Sequence, residues 1–276
     1  MTTTDARTSG TTGLVSAGDV ELWVEQRGEG PDVLLIAGLT DPAEAWELQL
    51  AGLSDRYRVT AFDNRGAGRS PEMPADFTVE RTADDAAAVL RALGITRAHV
   101  AGFSGGSVTA QHLALRHPEL VRSLVLQSTW GRPDAYFRAA TDTWKWLVTA
   151  APDERAMLEA FFLYIYTPRA HAEGMVAQII DEALSFPHPQ STEQFLRQLE
   201  VWTAHDALDE LHRITAPTLV LAGSRDVVTY PELGRAVAER MPNATFRVLD
   251  GEAHQPFQER PDEWNTIVHE FWSSVQ

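Results

Sequence analysis

The chain has 276 residues, of which 44% are hydrophobic and 22% charged, and it has no cysteine. These proportions exclude disorder over most of its length, and the missing thiol excludes disulfides, cysteine nucleophiles and cysteine zinc sites. The 39 acidic residues outnumber the 23 basic ones, giving a net charge of −16, and no two basic residues adjoin. Nucleic acid and anionic membrane surfaces are therefore excluded as partners.

Residues 1–10 (MTTTDARTSG) lack the apolar stretch of a signal peptide. No window reaches the roughly 18 apolar residues of a membrane span. Positions 1–12 read as a disordered lead-in, and the protein as cytoplasmic. Residues 20–26 (VELWVEQ) alternate as a strand does, and Gly28, Gly30 and Pro31 mark the turn that follows. Residues 33–37 (VLLIA) form a short unbroken apolar run, as in a strand buried on both faces. A helix is predicted over 43–53 and a second apolar strand over 58–62. Thr78 as cap and Gly94 as stop delimit the next helix. A strand over 98–103, a helix over 105–117 and a strand over 121–127 follow. The last third resumes this rhythm with strands over 217–222 and 245–249 and helices over 231–241 and 262–273. Such alternation predicts a mainly parallel sheet covered on both faces.

Residues 130–212 break the rhythm with four or five helix-like segments and no buried strand. They hold half of the chain's 24 aromatic side chains in under a third of its length. The segment reads as a helical lid over a pocket.

The chemistry starts at Gly102-Phe103-Ser104-Gly105-Gly106, a G-x-S-x-G sequence between a buried strand and a helix. A sharp strand-to-helix turn holds the serine in a strained conformation that only small neighbours allow, and its hydroxyl projects above the sheet. Ser104 is the predicted nucleophile. A serine needs a base, and His254 follows the last strand in Gly251-Glu252-Ala253-His254. The other eight histidines fall within strands, helices or the 130–212 segment. Asp226, in the loop after the 217–222 strand, is the predicted carboxylate that orients the histidine, and Asp134 is its rival. The order Ser104, Asp226, His254 is that of nucleophile-elbow enzymes.

With these segments the chain resembles the α/β-hydrolase superfamily from about Leu14 to its end. It is similar above all to the lidded serine esterase and lactonase branch. Asp63-Asn64-Arg65-Gly66-Ala67-Gly68-Arg69-Ser70 resembles that superfamily's D-x-R-G-x-G-x-S turn, and residues 251–261 resemble its histidine loop. The resemblance implies an α/β-hydrolase fold with a mostly parallel eight-stranded sheet. Helices would cover both faces, and a lid would be inserted after the sixth strand. Its core would comprise 13–129 and 213–276, and its lid 130–212. It implies structural roles for Asp63 and Arg65. It also implies an oxyanion hole made by the backbone N–H groups of Gly105 and Leu39, although Ala37 stands where relatives carry a histidine.

Serine at the elbow, where related epoxide hydrolases and dehalogenases carry aspartate, favours carbonyl-carbon chemistry. The expected activity is cofactor-independent, metal-free hydrolysis of a carboxylic ester or lactone through an acyl-enzyme on Ser104. Carbon–carbon bond hydrolysis, haloperoxidase-like chemistry and ligand reception use the same triad and stay open. Phe103, Trp130, Trp144 and Trp146 are the predicted pocket walls, suited to an apolar or aromatic small molecule. Trp144 and Trp146 lie two apart on one helix, so at most one faces the site. Asp41 reads as a surface loop acid. A monomer or a homodimer fits equally.

Overall fold

The structure, a computed structural model, describes residues 10–275. Eight strands form one sheet: β1 (Thr12–Ala17), β2 (Val20–Arg27), β3 (Asp32–Ile36), β4 (Arg58–Phe62), β5 (Ala98–Phe103), β6 (Val121–Gln127), β7 (Thr218–Gly223) and β8 (Ala244–Leu249). Their spatial order is β1-β2-β4-β3-β5-β6-β7-β8. β1 and β2 pair antiparallel, as do β2 and β4, and every later pair is parallel.

β1 corrects the predicted lead-in. Thr12, placed in the disordered segment, pairs with Glu25. The strand escaped notice because it lies at the sheet edge, where Gly13 and Ser16 dilute its pattern and only Ala17 is buried. The rest of the predicted lead-in, 1–9, lies outside the described residues. The 43–53 helix begins as a 3-10 turn (Ala43–Trp46) and continues as α1 (Glu47–Leu53).

Every residue of β5 and β7 is buried, which explains their unbroken apolar runs. α2 (Val79–Ala92), α3 (Gly105–Arg116) and α9 (Pro231–Arg240) cover one face. There Leu34, Val100, Leu124 and Val220 pack against Ala86, Leu90, Leu113 and Val237. α1, α10 (Pro256–Glu259) and α11 (Pro261–Ser274) cover the other, with Trp46, Phe257 and Trp264 packed together with Phe103 and Leu221.

Between β6 and β7 the chain makes five α-helices among the described residues: α4 (Ala135–Ala150), α5 (Glu154–Ile165), α6 (Pro168–Ala172), α7 (Met175–Ser185) and α8 (Thr192–Thr203). Asp134, Asp153, Thr167 and Ser191 cap four of them through their side chains. Each such cap contributes about 1 kcal/mol. These helices build a third apolar cluster from Trp130, Phe137, Trp144, Phe161, Phe195 and Trp202. It sits over the carboxyl ends of the strands, where β3 and β5 are neighbours although β4 lies between them in the chain. Such a reversal of strand order opens a crevice at the strand ends.

Candidate active site

β5 ends at Phe103, and Ser104 adopts φ 51° and ψ −122° before α3 begins. Side chains rarely adopt this backbone, and holding it requires tight surroundings. The glycines allow them. A methyl on Gly102 would lie 2.3 Å from the Gly106 carbonyl oxygen, and one on Gly106 would lie 2.1 Å from that of Ile36. The loop after β3 also passes near: a methyl on Gly38 would meet the Ser104 Cβ at 3.2 Å.

Ser104 Oγ lies 3.1 Å from His254 Nε2, and His254 Nδ1 lies 2.8 Å from Asp226 Oδ2. A carboxylate facing Nδ1 keeps the proton there, so Nε2 is free to accept from the serine. Asp226 Oδ1 accepts from the N–H groups of Val228 and Thr229, both at 2.9 Å, and Oδ2 from the Thr229 hydroxyl at 2.8 Å. Burial works against the charge of Asp226. The His254 ring and the Thr229 bonds outweigh it and hold the carboxyl below its usual range. Asp134, the rival acid, instead caps α4 through Phe137 N and bonds the Tyr230 hydroxyl.

Five of the other eight histidines bond side chains elsewhere: His99 with Ser123, His112 with His205, His117 with Asp84 and His269 with Tyr57. Arg65 forms a bidentate pair with Asp85, and Asp63 accepts from the N–H groups of Ala43 and Arg69. Both brace loops around the site, as their resemblance implied.

The N–H groups of Leu39 and Gly105 have no acceptor among the described residues, and both residues border the space beside Ser104. The loop that carries Leu39 is held by side chains from elsewhere in the fold. Asn64 Nδ2 donates to the Ala37 carbonyl at 3.0 Å, and Thr40 N, at φ 70°, donates to Gln198 Oε1 at 3.2 Å. Gln198 reaches down from α8, and its Nε2 donates to the Arg65 carbonyl at 2.8 Å.

Two cavities meet at Ser104. The larger, about 1070 Å³, is bordered by Asp41, Phe103, Trp144, Phe161, Tyr166 and His254 among others. The smaller, about 20 Å³, is lined by Trp130, Phe137, Trp144, Leu199, Trp202 and Val228. Of the predicted walls, Phe103, Trp130 and Trp144 are in place. Trp146 is not: it is 67% exposed on the outer side of α4, because two residues on a helix turn the side chain to the opposite face.

Trp202 and Asp41 also border the site. Trp202 presses on the nucleophile's neighbour, and a methyl on Gly105 would lie 2.3 Å from its ring. Gln194, Gln198 and Trp202 recur every four residues and so share the buried face of α8, but that spacing does not say which aromatic of the insertion meets the nucleophile. Asp41 is not a surface acid. It is half-buried and opens into the larger cavity, where Gln255 Nε2 donates to it at 3.3 Å. Burial pushes its carboxyl up to about 7.

The insertion is stitched to the histidine loop. His254 N donates to the Ile165 carbonyl at 3.0 Å, and Tyr166 Oη donates to Gln255 Oε1 at 2.7 Å. Arg169 forms a bidentate pair with Glu252 and also reaches Glu259. No group of three or more His, Asp or Glu side chains able to hold a metal occurs among the described residues. No helix there is long and apolar enough to cross a membrane.

Comparison with known proteins agrees with this fold. The model of the α/β hydrolase fold family matches residues 31–261. A provisionally named carbamate hydrolase of Azorhizobium caulinodans is 33% identical over 258 residues, covering 94% of this chain and 97% of its own. The crystal structure of a provisionally named non-heme bromoperoxidase of Mycobacterium tuberculosis superposes with a TM-score of 0.82 at 31% identity, covering 92% of this chain and 96% of that one. An enol-lactonase of Burkholderia xenovorans superposes with a TM-score of 0.83 at 26% identity, covering 94% of this chain and all of that one.

Proposed function

The chain belongs to the α/β hydrolase family, and from that premise we propose that it is a serine hydrolase that cleaves a carboxylic ester or lactone through an acyl-enzyme on Ser104. The observation that carries this reading is the hydrogen-bonded chain Ser104–His254–Asp226 at the strained elbow. His254 Nε2 takes the Ser104 proton as Oγ adds to the carbonyl carbon. The N–H groups of Leu39 and Gly105 hold the oxyanion. His254 then protonates the departing alcohol oxygen, and a water repeats the sequence on the acyl-enzyme. The larger cavity suits an apolar or ring-bearing substrate roofed by the 130–212 helices.

A carbamate is the second reading. It rests on the 33% identity to the Azorhizobium protein over nearly the whole chain. A carbamoyl carbonyl is attacked by the same triad in the same way.

The test is initial rates on 4-nitrophenyl esters of graded acyl length, on lactones and on a carbamate, with the Ser104→Ala protein alongside. The expected result is turnover that falls by about 10⁴-fold or more in the variant while the fold persists. A Ser104→Ala protein that keeps near-full activity sinks the mechanism.

A further inference from the structure

The two cavities at Ser104 differ greatly in size, and His254 borders only one of them. The larger, about 1070 Å³, touches both Ser104 and His254. The smaller, about 20 Å³, touches Ser104, Leu39 and Gly105 but not His254. A space of that size exceeds a single water by little and holds one methyl-sized group.

The chemistry assigns a role to each. In the tetrahedral intermediate the carbonyl carbon bears Ser104 Oγ, the oxyanion, the acyl substituent and the leaving oxygen. The oxyanion faces Leu39 and Gly105. The leaving oxygen must receive its proton from His254 Nε2, so the alcohol lies on the His254 side, in the larger cavity. The acyl substituent has the opposite side left to it, which is the smaller cavity.

From this we infer that the substrate is lopsided: an ester of a bulky alcohol with an acyl group no larger than acetyl or carbamoyl. The inference rests on the hydrolase reading above and narrows it. The covalent step balances without a co-reactant. The acyl carbon passes from the alcohol oxygen to Ser104 Oγ, and the alcohol departs with the proton that Ser104 gave to His254. Water then releases the short acid.

The walls of the small compartment resist widening. Trp130 and Phe137 lie with ring centroids 4.7 Å apart, and the Trp144 ring meets Phe161 edge-on at 5.0 Å. Trp202 is held against Gly105 and donates from Nε1 to Thr109 Oγ1 at 3.3 Å. These side chains are at most 6% exposed. A longer acyl chain would have to displace packed aromatic rings, and interiors packed to this density yield little.

Octyl acetate and ethyl octanoate test the assignment, because they are isomers with the bulk on opposite sides of the ester. Initial rates would be followed by pH-stat titration, with Ser104→Ala as the blank. The expected result is a kcat/KM for octyl acetate about 100-fold or more above that for ethyl octanoate, since each ill-fitting methylene costs tenfold or more. Octyl carbamate, tested beside octyl acetate, tells an amino from a methyl occupant. Leu199→Ala and Phe137→Leu trim different walls of the compartment. In either folded variant the preference should narrow about tenfold, through gain on ethyl octanoate. Equal rates on the two isomers, or a preference for ethyl octanoate, overturn the assignment and leave the hydrolase reading intact. So does an acetate preference that neither variant alters. Loss of Ser104-dependent turnover on every ester and carbamate overturns the hydrolase reading, and the assignment with it.

Discussion

Asp41 sits in the larger cavity with one oxygen on Gln255 and its carboxyl raised to about 7. In an unfolded chain the same carboxyl titrates near 3.9. Between about pH 4 and 7 the unfolded protein therefore releases this proton while the folded protein keeps it. Stability is lost as pH rises through that window, and the full cost is reached above it. Asn at this position has no such proton. Asp41→Asn should melt with the wild type at pH 4 and above it at pH 8, by about 1–2 kcal/mol once solvent in the cavity is discounted. Thermal melts at the two pH values check this, and an equal offset at both would refute it. The sequence shows an acid beside a probable oxyanion loop but not the side of the loop on which it lies. That depends on Tyr166 and Gln255, which are far along the chain.

At the scale of elements, α8 joins the helical insertion to the site. Gln194 accepts from Met73 N, and Gln198 binds both Thr40 N and the Arg65 carbonyl. Gln198 thus contributes to holding the loop that carries Leu39. Gln198→Ala leaves the buried Arg65 carbonyl unpaired, at about 1–3 kcal/mol, and frees the partly exposed Thr40 N–H to solvent. Its expected signature is a kcat about tenfold lower with KM little changed, because in the proposed mechanism the loop's N–H binds the oxyanion rather than the ground-state substrate. A variant that loses stability but keeps kcat would show that the loop does not depend on Gln198.

The elbow, the acid and the histidine were legible because each follows a buried apolar strand, and short-range sterics fix what such a turn accepts. The first strand was not legible, since an edge strand with one buried residue carries little pattern. Nor was Trp202, although its helix is. Which aromatic of an insertion meets the nucleophile is set by how the insertion docks, and no local period records that.

For the whole molecule, pH acts through buried imidazoles as well as through Asp41. Burial is the main cause that lowers His205 to about 3 and His99 to about 4. Both are neutral in the fold, whereas the unfolded chain protonates them near 6.5. Their stability is fully present above that value and is lost as pH falls toward 4. Stability should therefore decline on the acid side, in the direction opposite to the effect of Asp41. His99→Asn keeps a polar partner for Ser123, bonded at 2.7 Å in the parent, and removes the titration. The expected result is a shallower fall in melting temperature between pH 6.5 and 4.5, whatever the variant's absolute stability. Parallel curves would refute it.

The bond from His254 N to the Ile165 carbonyl, with Arg169 clamped on Glu252 and Glu259, bears on how such proteins diversify. Recombination that exchanged the helices between β6 and β7 for those of a relative would also exchange the strap on the histidine loop. A donor segment whose backbone does not bring a carbonyl to His254 N, or that has no arginine for the two glutamates, would loosen the histidine loop however well its helices packed. Viable crossovers should therefore inherit residues 165–169 together with 252–259. Specificity and catalysis in this chain would then pass between lineages as one linked block.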